Sequence, residues 1–153
     1  AAGRSFTLLV NAENTGKLSL ANRITDNLNA IGVHVTVDAV PFSEFVTRLT
    51  TGNFDLFLGE VRMAADFDAT TLLSPGGGLN YGGYENKLLS EKLYGARATG
   101  DMTEFLRMFV EEVPVAPILF KRDTLLTQNN FFKTATPVVG NPFYHFYDWE
   151  TTR

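Results

Sequence analysis

Between residues 60 and 68 the chain gathers three carboxylates and one guanidinium: Glu60, Arg62, Asp66 and Asp68. Paired carboxylates can divide the roles of general acid and general base, so a hydrolase built on Glu60, Asp66 or Asp68 is one reading. That chemistry wants a nucleophile or a metal beside the acids. No Gly-x-Ser-x-Gly elbow occurs, and the absence of cysteine removes thiol nucleophiles and thiolate zinc sites. His34 and His145 are the only two histidines and stand apart from each other, and the convergent ligands of a metal site cannot be assembled around either. Pro75-Gly76-Gly77-Gly78 lacks the Gly-Lys-Ser/Thr ending of a phosphate loop. What remains is recognition chemistry. Arg62 can hold a carboxylate with two parallel hydrogen bonds, or pair with Glu60 across a strand face. Asp68, just ahead of Thr70-Thr71-Leu72-Leu73, reads as a helix N-cap. Asn80, Tyr81 and Tyr84 lie in a glycine-rich stretch, where a tyrosine offers an apolar body and a polar tip to a mixed solute.

The totals restrict the partners. The chain has 153 residues with net charge −4 and no basic stripe, which argues against nucleic acid. A hydrophobic fraction of 44% and a charged fraction of 20% suit a globular domain. No apolar run approaches the ~20 residues that cross a bilayer. Ala1-Ala2-Gly3-Arg4 has no apolar signal region, and strand-like sequence begins at once, as expected of a chain cut from a longer protein. Thirteen phenylalanines are many for this length, and some of that surface is expected to face a ligand or a partner.

The elements that must position these residues follow from periodicity. Phe6 to Val10 reads as a buried strand. Leu20, Ala21, Ile24, Leu28 and Ile31 form a helical stripe that Gly32 ends. Val33, Val35 and Val37 alternate as a second strand. Ser43 reads as the N-cap of a helix carrying Phe45, Val46 and Leu49, and Gly52 closes it. Phe54 to Leu58 is a third strand. Strand, helix, strand, helix, strand implies parallel pairing with helices on both faces. The long Glu60–Tyr84 loop leaves the carboxyl end of that third strand, where ligands of open α/β sheets sit. Beyond it, Leu88, Leu89, Leu93 and Ala96 mark a helix closed by Gly100. Asp101 and Glu104 suggest a capping box for a further helix with Met102, Phe105, Phe109 and Val113 inward. Val115 to Phe120 reads as a fourth strand, kept to an edge by Pro114 and Pro117. From Asp123 onward the chain is an aromatic tail with little periodicity.

Several stretches together resemble extracellular solute-binding family 5, the peptide- and nickel-type substrate-binding proteins of ABC importers. They are Ile31-Gly32-Val33-His34-Val35-Thr36-Val37, Phe42-Ser43-Glu44-Phe45, and Gly52-Asn53-Phe54-Asp55-Leu56. Ala65-Asp66-Phe67-Asp68, Tyr81-Gly82-Gly83-Tyr84-Glu85-Asn86 and Glu111-Glu112-Val113-Pro114-Val115-Ala116-Pro117-Ile118 follow in the family's order. Met63 stands where the family usually has an aromatic residue, Ala69-Thr70 where it has proline, and Arg62 where it has a small residue.

The resemblance implies an α/β fold, a mostly parallel sheet of the periplasmic-binding-protein type II kind. It maps residues 1–122 onto the C-terminal lobe of a two-lobed clamp and residues 123–153 onto a tail that returns to the first lobe. It implies no enzymatic activity and no cofactor. The solute is a peptide or similar small molecule, and the partners are an N-terminal lobe of the same parent protein and a membrane permease. A dimer through the aromatic tail is the other use for that surface. The setting is periplasmic or extracellular. The solute wall it implies is Arg62, Met63, Ala64, Ala65, Asp66, Phe67, Asp68, Asn80, Tyr81 and Tyr84. Asp66 would pair with the amino group of a bound peptide, because a carboxylate in a water-poor cleft is poorly screened. A receiver-like signalling domain, the other alternating α/β candidate, would need an acidic cluster after the first strand. Glu13 stands alone there.

Overall fold

A computed structural model of the chain describes residues 3–63, 68–121, 126, 128, 131–138 and 140–152. The chain divides into two compact units, residues 1–61 with 75–85, and residues 62–74 with 86–153.

The first unit is a parallel sheet of three strands in the order β2-β1-β3. Strand β1 spans Phe6–Asn11, β2 Val35–Val40 and β3 Leu56–Phe57. Helix α1, Thr15–Ala30, connects β1 to β2, and helix α2, Phe42–Thr50, connects β2 to β3. Leu8 pairs with Val37 on one side of β1 and with Leu56 on the other. A central strand must bury both faces, and the continuous apolar run of β1 does so, with Leu8, Leu9 and Val10 all buried. Leu8 and Val10 pack with Val35 and with Ala21 of α1, while Leu18, Ile24 and Leu28 fill the margin. Leu9 points the opposite way, against Val40, Phe45 and Leu49, with Phe54, Phe57 and Tyr81 around them. Helices therefore cover both faces, as the alternation of elements requires.

Local chemistry sets the ends. The Asn14 side chain accepts from the Lys17 N–H at 2.9 Å, which satisfies one orphan donor at the start of α1. Gly32 lies in the left-handed region, φ +84°, and there its N–H reaches Asn29 O at 3.0 Å. Asn29 then holds Val35 through both its backbone groups, at 2.9 and 3.1 Å, and so stitches α1 to β2. Asp55 receives the N–H and the hydroxyl of Thr7, each at 2.9 Å, joining the starts of β3 and β1. The Arg48–Asp38 pair at 2.7 Å fastens α2 to β2.

Several sequence expectations are corrected here. Ile31 follows the last helical residue and is 75% exposed, so the inward face of α1 runs through Leu18, Ala21, Ile24, Thr25 and Leu28 instead. Strand β2 begins at Val35 rather than Val33. Ser43 is not a cap: α2 starts at Phe42 behind Pro41, and Ser43 already sits within the first turn. Strand β3 has only two residues, although Leu58 still donates to Leu9 O at 2.9 Å. Val115 to Phe120 forms no strand. Pro114 and Pro117 lack the N–H a ladder needs, and Ile118, Leu119 and Phe120 are exposed.

The second unit holds helices α3, Thr70–Leu73, α4, Lys87–Thr99, and α5, Thr103–Glu112. The Asn86 side chain caps α4 through the Leu89 N–H at 3.1 Å, and Gly100 ends it in a left-handed conformation. Leu89, Leu93 and Ala96 are buried, whereas Leu88 is exposed because it sits one position off that face. Phe105 of α5 is buried, with the Phe109 ring 5.9 Å away. The expected capping box is absent. Asp101 takes the Thr103 N–H at 2.9 Å, while Glu104 turns to Arg107 and Lys92 instead of reaching back. Val113 leaves the inner stripe, since it adopts φ +45° as the C-cap of α5 and is exposed.

The tail has structure that its sequence does not announce. Phe132 and Thr151 form an antiparallel bridge, and Lys133 donates to Glu150 O at 2.8 Å. Phe132 meets Phe131 and Trp149 edge to face, at 4.8 and 5.2 Å between ring centres. The Trp149 indole N–H donates to Tyr144 O at 3.2 Å. Phe131, Phe132, Phe143, Phe146 and Trp149 line an apolar cleft of about 400 Å³.

Candidate functional site

In the first unit the chain runs from β1 to one side of the sheet and returns to the other, so the strand order reverses between β1 and β3. The crevice beyond the carboxyl ends of such neighbours is where open α/β sheets bind ligands. Glu60, just past β3, and Lys17, in the first turn of α1, meet there in an ion pair of 3.1 Å. Lys17 was not singled out from sequence. Only the pairing of β1 with β3 brings it to Glu60. The expected Glu60–Arg62 pairing on a strand face does not arise, because β3 ends at Phe57.

Asn80, Tyr81 and Tyr84 also belong to the first unit. Asn80 clasps the backbone of Tyr84, donating to its carbonyl at 2.7 Å and accepting from its N–H at 2.9 Å. This closes the glycine-rich loop into a fixed turn. Tyr81 lays its ring edge-on to Phe57, 6.1 Å between centres, at the margin of the core around Leu9. Its apolar body serves packing in this structure.

Arg62, Met63 and Asp68 belong to the second unit. Arg62 is exposed and Met63 half-buried. Ala64, Ala65, Asp66 and Phe67 lie outside the described residues. Asp68 is heavily engaged. It accepts from the Thr70 N–H at 2.9 Å and from the Thr70 hydroxyl, and it pairs with Arg97 of α4 at 2.9 Å. These groups hold its carboxyl below the usual range: first the Thr70 hydroxyl, then the Thr70 N–H, against some desolvation, with the Arg97 charge adding to them. A general acid needs the opposite shift, so Asp68 is poorly suited to that half of a hydrolase pair. Glu60, the other described candidate, is held by Lys17.

His34 is exposed. His145, expected to stand alone, instead stacks between Tyr144 and Tyr147, at 4.2 and 5.3 Å, with its Nδ1 3.1 Å from Asp148. Among the described residues no three His, Cys, Asp or Glu side chains gather as a metal site, and no helix is long and apolar enough to cross a membrane.

The α/β arrangement of parallel sheet and flanking helices matches a lobe of solute-binding proteins. Three solved structures illustrate the likeness. The oligopeptide-binding protein AppA of Bacillus subtilis, in complex with a nonapeptide, is similar over 97% of this chain and 32% of its own, with 17% identity and a TM-score of 0.66. The peptide-binding pheromone receptor PrgZ is 27% identical over 72% of this chain and 23% of its own, with a TM-score of 0.54. A nickel ABC transporter protein of Bacillus halodurans is 18% identical over 72% of this chain and 26% of its own, with a TM-score of 0.57. The chain thus spans about a third or less of the length of these structures. No protein-family profile matches the sequence, and no curated protein matches it.

Proposed function

We propose that this chain is a lobe of the substrate-binding component of an ABC importer of family 5, which captures a peptide or similar small solute and presents it to a membrane permease. The observation that carries the reading is the likeness to AppA over 97% of the chain, tail included, beside other structures named for peptide or nickel. Solute bridges two lobes, and the closed state is favoured because only it contacts solute from both sides. In this reading residues 1–122 form the lobe, and residues 123–153 return to an N-terminal lobe of the same parent protein. The aromatic residues of the tail supply that contact, or else a dimer. The setting is periplasmic or extracellular.

Asp66 is the proposed contact for a solute amino group, with Arg62 available to a solute carboxylate. Met63, Ala64, Ala65 and Phe67 complete that wall, and Asn80, Tyr81 and Tyr84 are separate solute-contact candidates of the first unit. Asp68 supports the wall more than it touches solute, because Thr70 and Arg97 already occupy its oxygens. Met63 and Ala69 depart from the family pattern, which argues for a solute other than an ordinary di- or oligopeptide.

Calorimetry with a pool of tri- to pentapeptides tests the reading. A two-lobed polypeptide containing this chain is expected to bind, and the chain alone to bind weakly or not at all. Micromolar binding by the chain alone would sink the half-site idea.

A further inference from the structure

Helices α4 and α5 of the second unit leave a groove of about 460 Å³ between them. Leu88, Ala96 and Phe105 give it an apolar lining, and Gly95 lies beside Ala96 within it. Glycine is the poorest helix former after proline, so a glycine inside α4 calls for a reason. Backbone conformation does not supply one, because Gly95 is not among the glycines with positive φ. Close packing does not supply one either, since a Cβ at Gly95 would meet no atom within 4 Å. What the missing side chain leaves is open space along the groove.

The rim of the groove is acidic. Glu91, Asp101 and Glu104 line it against one cation, Lys92, so three carboxylates face a single ammonium. Lys92 lies 4.0 Å from Glu104, which Arg107 also meets at 3.4 Å, and Glu91 has Lys87 at 3.9 Å. Asp101 has no ion-pair partner among the described residues, and its Oδ1 accepts the Thr103 N–H at 2.9 Å. These carboxylates do not gather as a metal site, so their charge suits a larger cation carried on an apolar stem. The volume falls in the ordinary range for small-molecule sites, roughly 300–1,000 Å³. We propose that the groove between α4 and α5 binds a small organic cation, an alkylammonium or alkylguanidinium, with its stem over Gly95 and Ala96 and its charged head at Asp101. A carboxylate meeting such a head makes charge-assisted hydrogen bonds, while the stem covers the apolar lining. The site lies within the second unit and does not depend on the solute-binding reading above.

Agmatine, which joins a guanidinium to an ammonium through a butyl stem, is the probe. It is titrated into the 153-residue chain and followed by two-dimensional amide NMR. Saturable shifts are expected at Gly95, Ala96, Thr99 and Asp101 and none in β1, with a Kd of about 1 mM at low salt. Asp101→Asn keeps an acceptor for the Thr103 N–H but removes the charge, and should weaken binding roughly fivefold. Gly95→Leu fills the groove and should abolish saturation. Gly95→Ala should weaken binding yet raise the melting temperature by about 2–4 °C, which separates loss of the site from loss of the fold. No saturable shift up to about 20 mM agmatine, or unchanged binding in Gly95→Leu, overturns the site. Equal shifts with butanol overturn a cation as its ligand. Unchanged affinity in Asp101→Asn overturns the place given to the charged head. A lower melting temperature in Gly95→Ala overturns the reading of that glycine.

Discussion

Leu9→Ala should be among the most damaging single substitutions in the first unit. Leu9 is 0% exposed and lies at the middle of β1, with β2 hydrogen-bonded on one side and β3 on the other. Its side chain meets Val40, Phe45 and Leu49, and beyond them Phe54, Phe57 and Tyr81. Truncation removes the transfer free energy of the lost atoms and leaves a cavity. A strand pinned on both edges cannot move inward to fill that cavity, so the loss should fall in the upper part of the range for such changes, about 4 kcal/mol. Whole domains are stable by only roughly 5–15 kcal/mol. With a urea slope of about 2 kcal/mol per molar, the midpoint should fall by about 2 M. Leu56→Ala, on the neighbouring strand at 41% exposure, is the control and should cost less than about 1 kcal/mol. Urea titration by far-UV circular dichroism reads both. Equal midpoints for the two variants would refute a core centred on β1.

The remaining predictions concern caps, acid and the tail. Asn14→Ala and Asn86→Ala should each cost about 1 kcal/mol, whereas Ser43→Ala should be near neutral because Ser43 makes no cap. The same titration distinguishes them. Asp55, Asp68 and Asp101 all have carboxyls lowered by hydrogen bonds, from Thr7, Thr70 and Thr103 respectively. A lowered folded pKa adds stability that is complete above the unfolded value and is lost as pH falls through the folded one. Melting temperature should therefore drop with acid below about pH 4, and the drop should be shallower in Asp55→Asn. An identical pH profile in that variant would contradict the assignment. Phe132→Ala removes the edge-to-face partner of both Phe131 and Trp149, each such pair being worth about 0.5–1.5 kcal/mol. Trp149 emission should shift to the red, and an unchanged spectrum would mean that the aromatic cluster does not form.

The first unit was legible in sequence because its signals are local. A run buried on both faces, a helical stripe with glycine after it, and a strand-rich segment beyond the next helix suffice to order β1, α1, β2, α2 and β3. Periodicity also found Leu89, Leu93 and Ala96 on α4. Ends were less legible. Ile31 continues the helical spacing, yet α1 ends at Ala30 and the chain turns away through Gly32. Ser43 is a cap residue by type, but Pro41 starts the helix first. Val115 to Phe120 has strand composition, but its prolines leave a ladder short of donors.

The site divides along the same line. Residue types and order pointed to the loop after β3 and made Asp68 an N-cap, whereas the cap position of α3 is Ala69 and Asp68 takes the Thr70 N–H from one residue before it. They could not show that Asp68 is shared with Arg97, that Glu60 belongs to Lys17, or that Tyr81 packs on Phe57. Each of these pairs is far apart in sequence and meets only when strands pair or helices pack. A carboxylate's neighbours, and therefore its charge state and its freedom to meet a solute, are decided by tertiary contacts. The sequence by itself determined which side chains were present and on which elements, and packing decided which of them were already occupied.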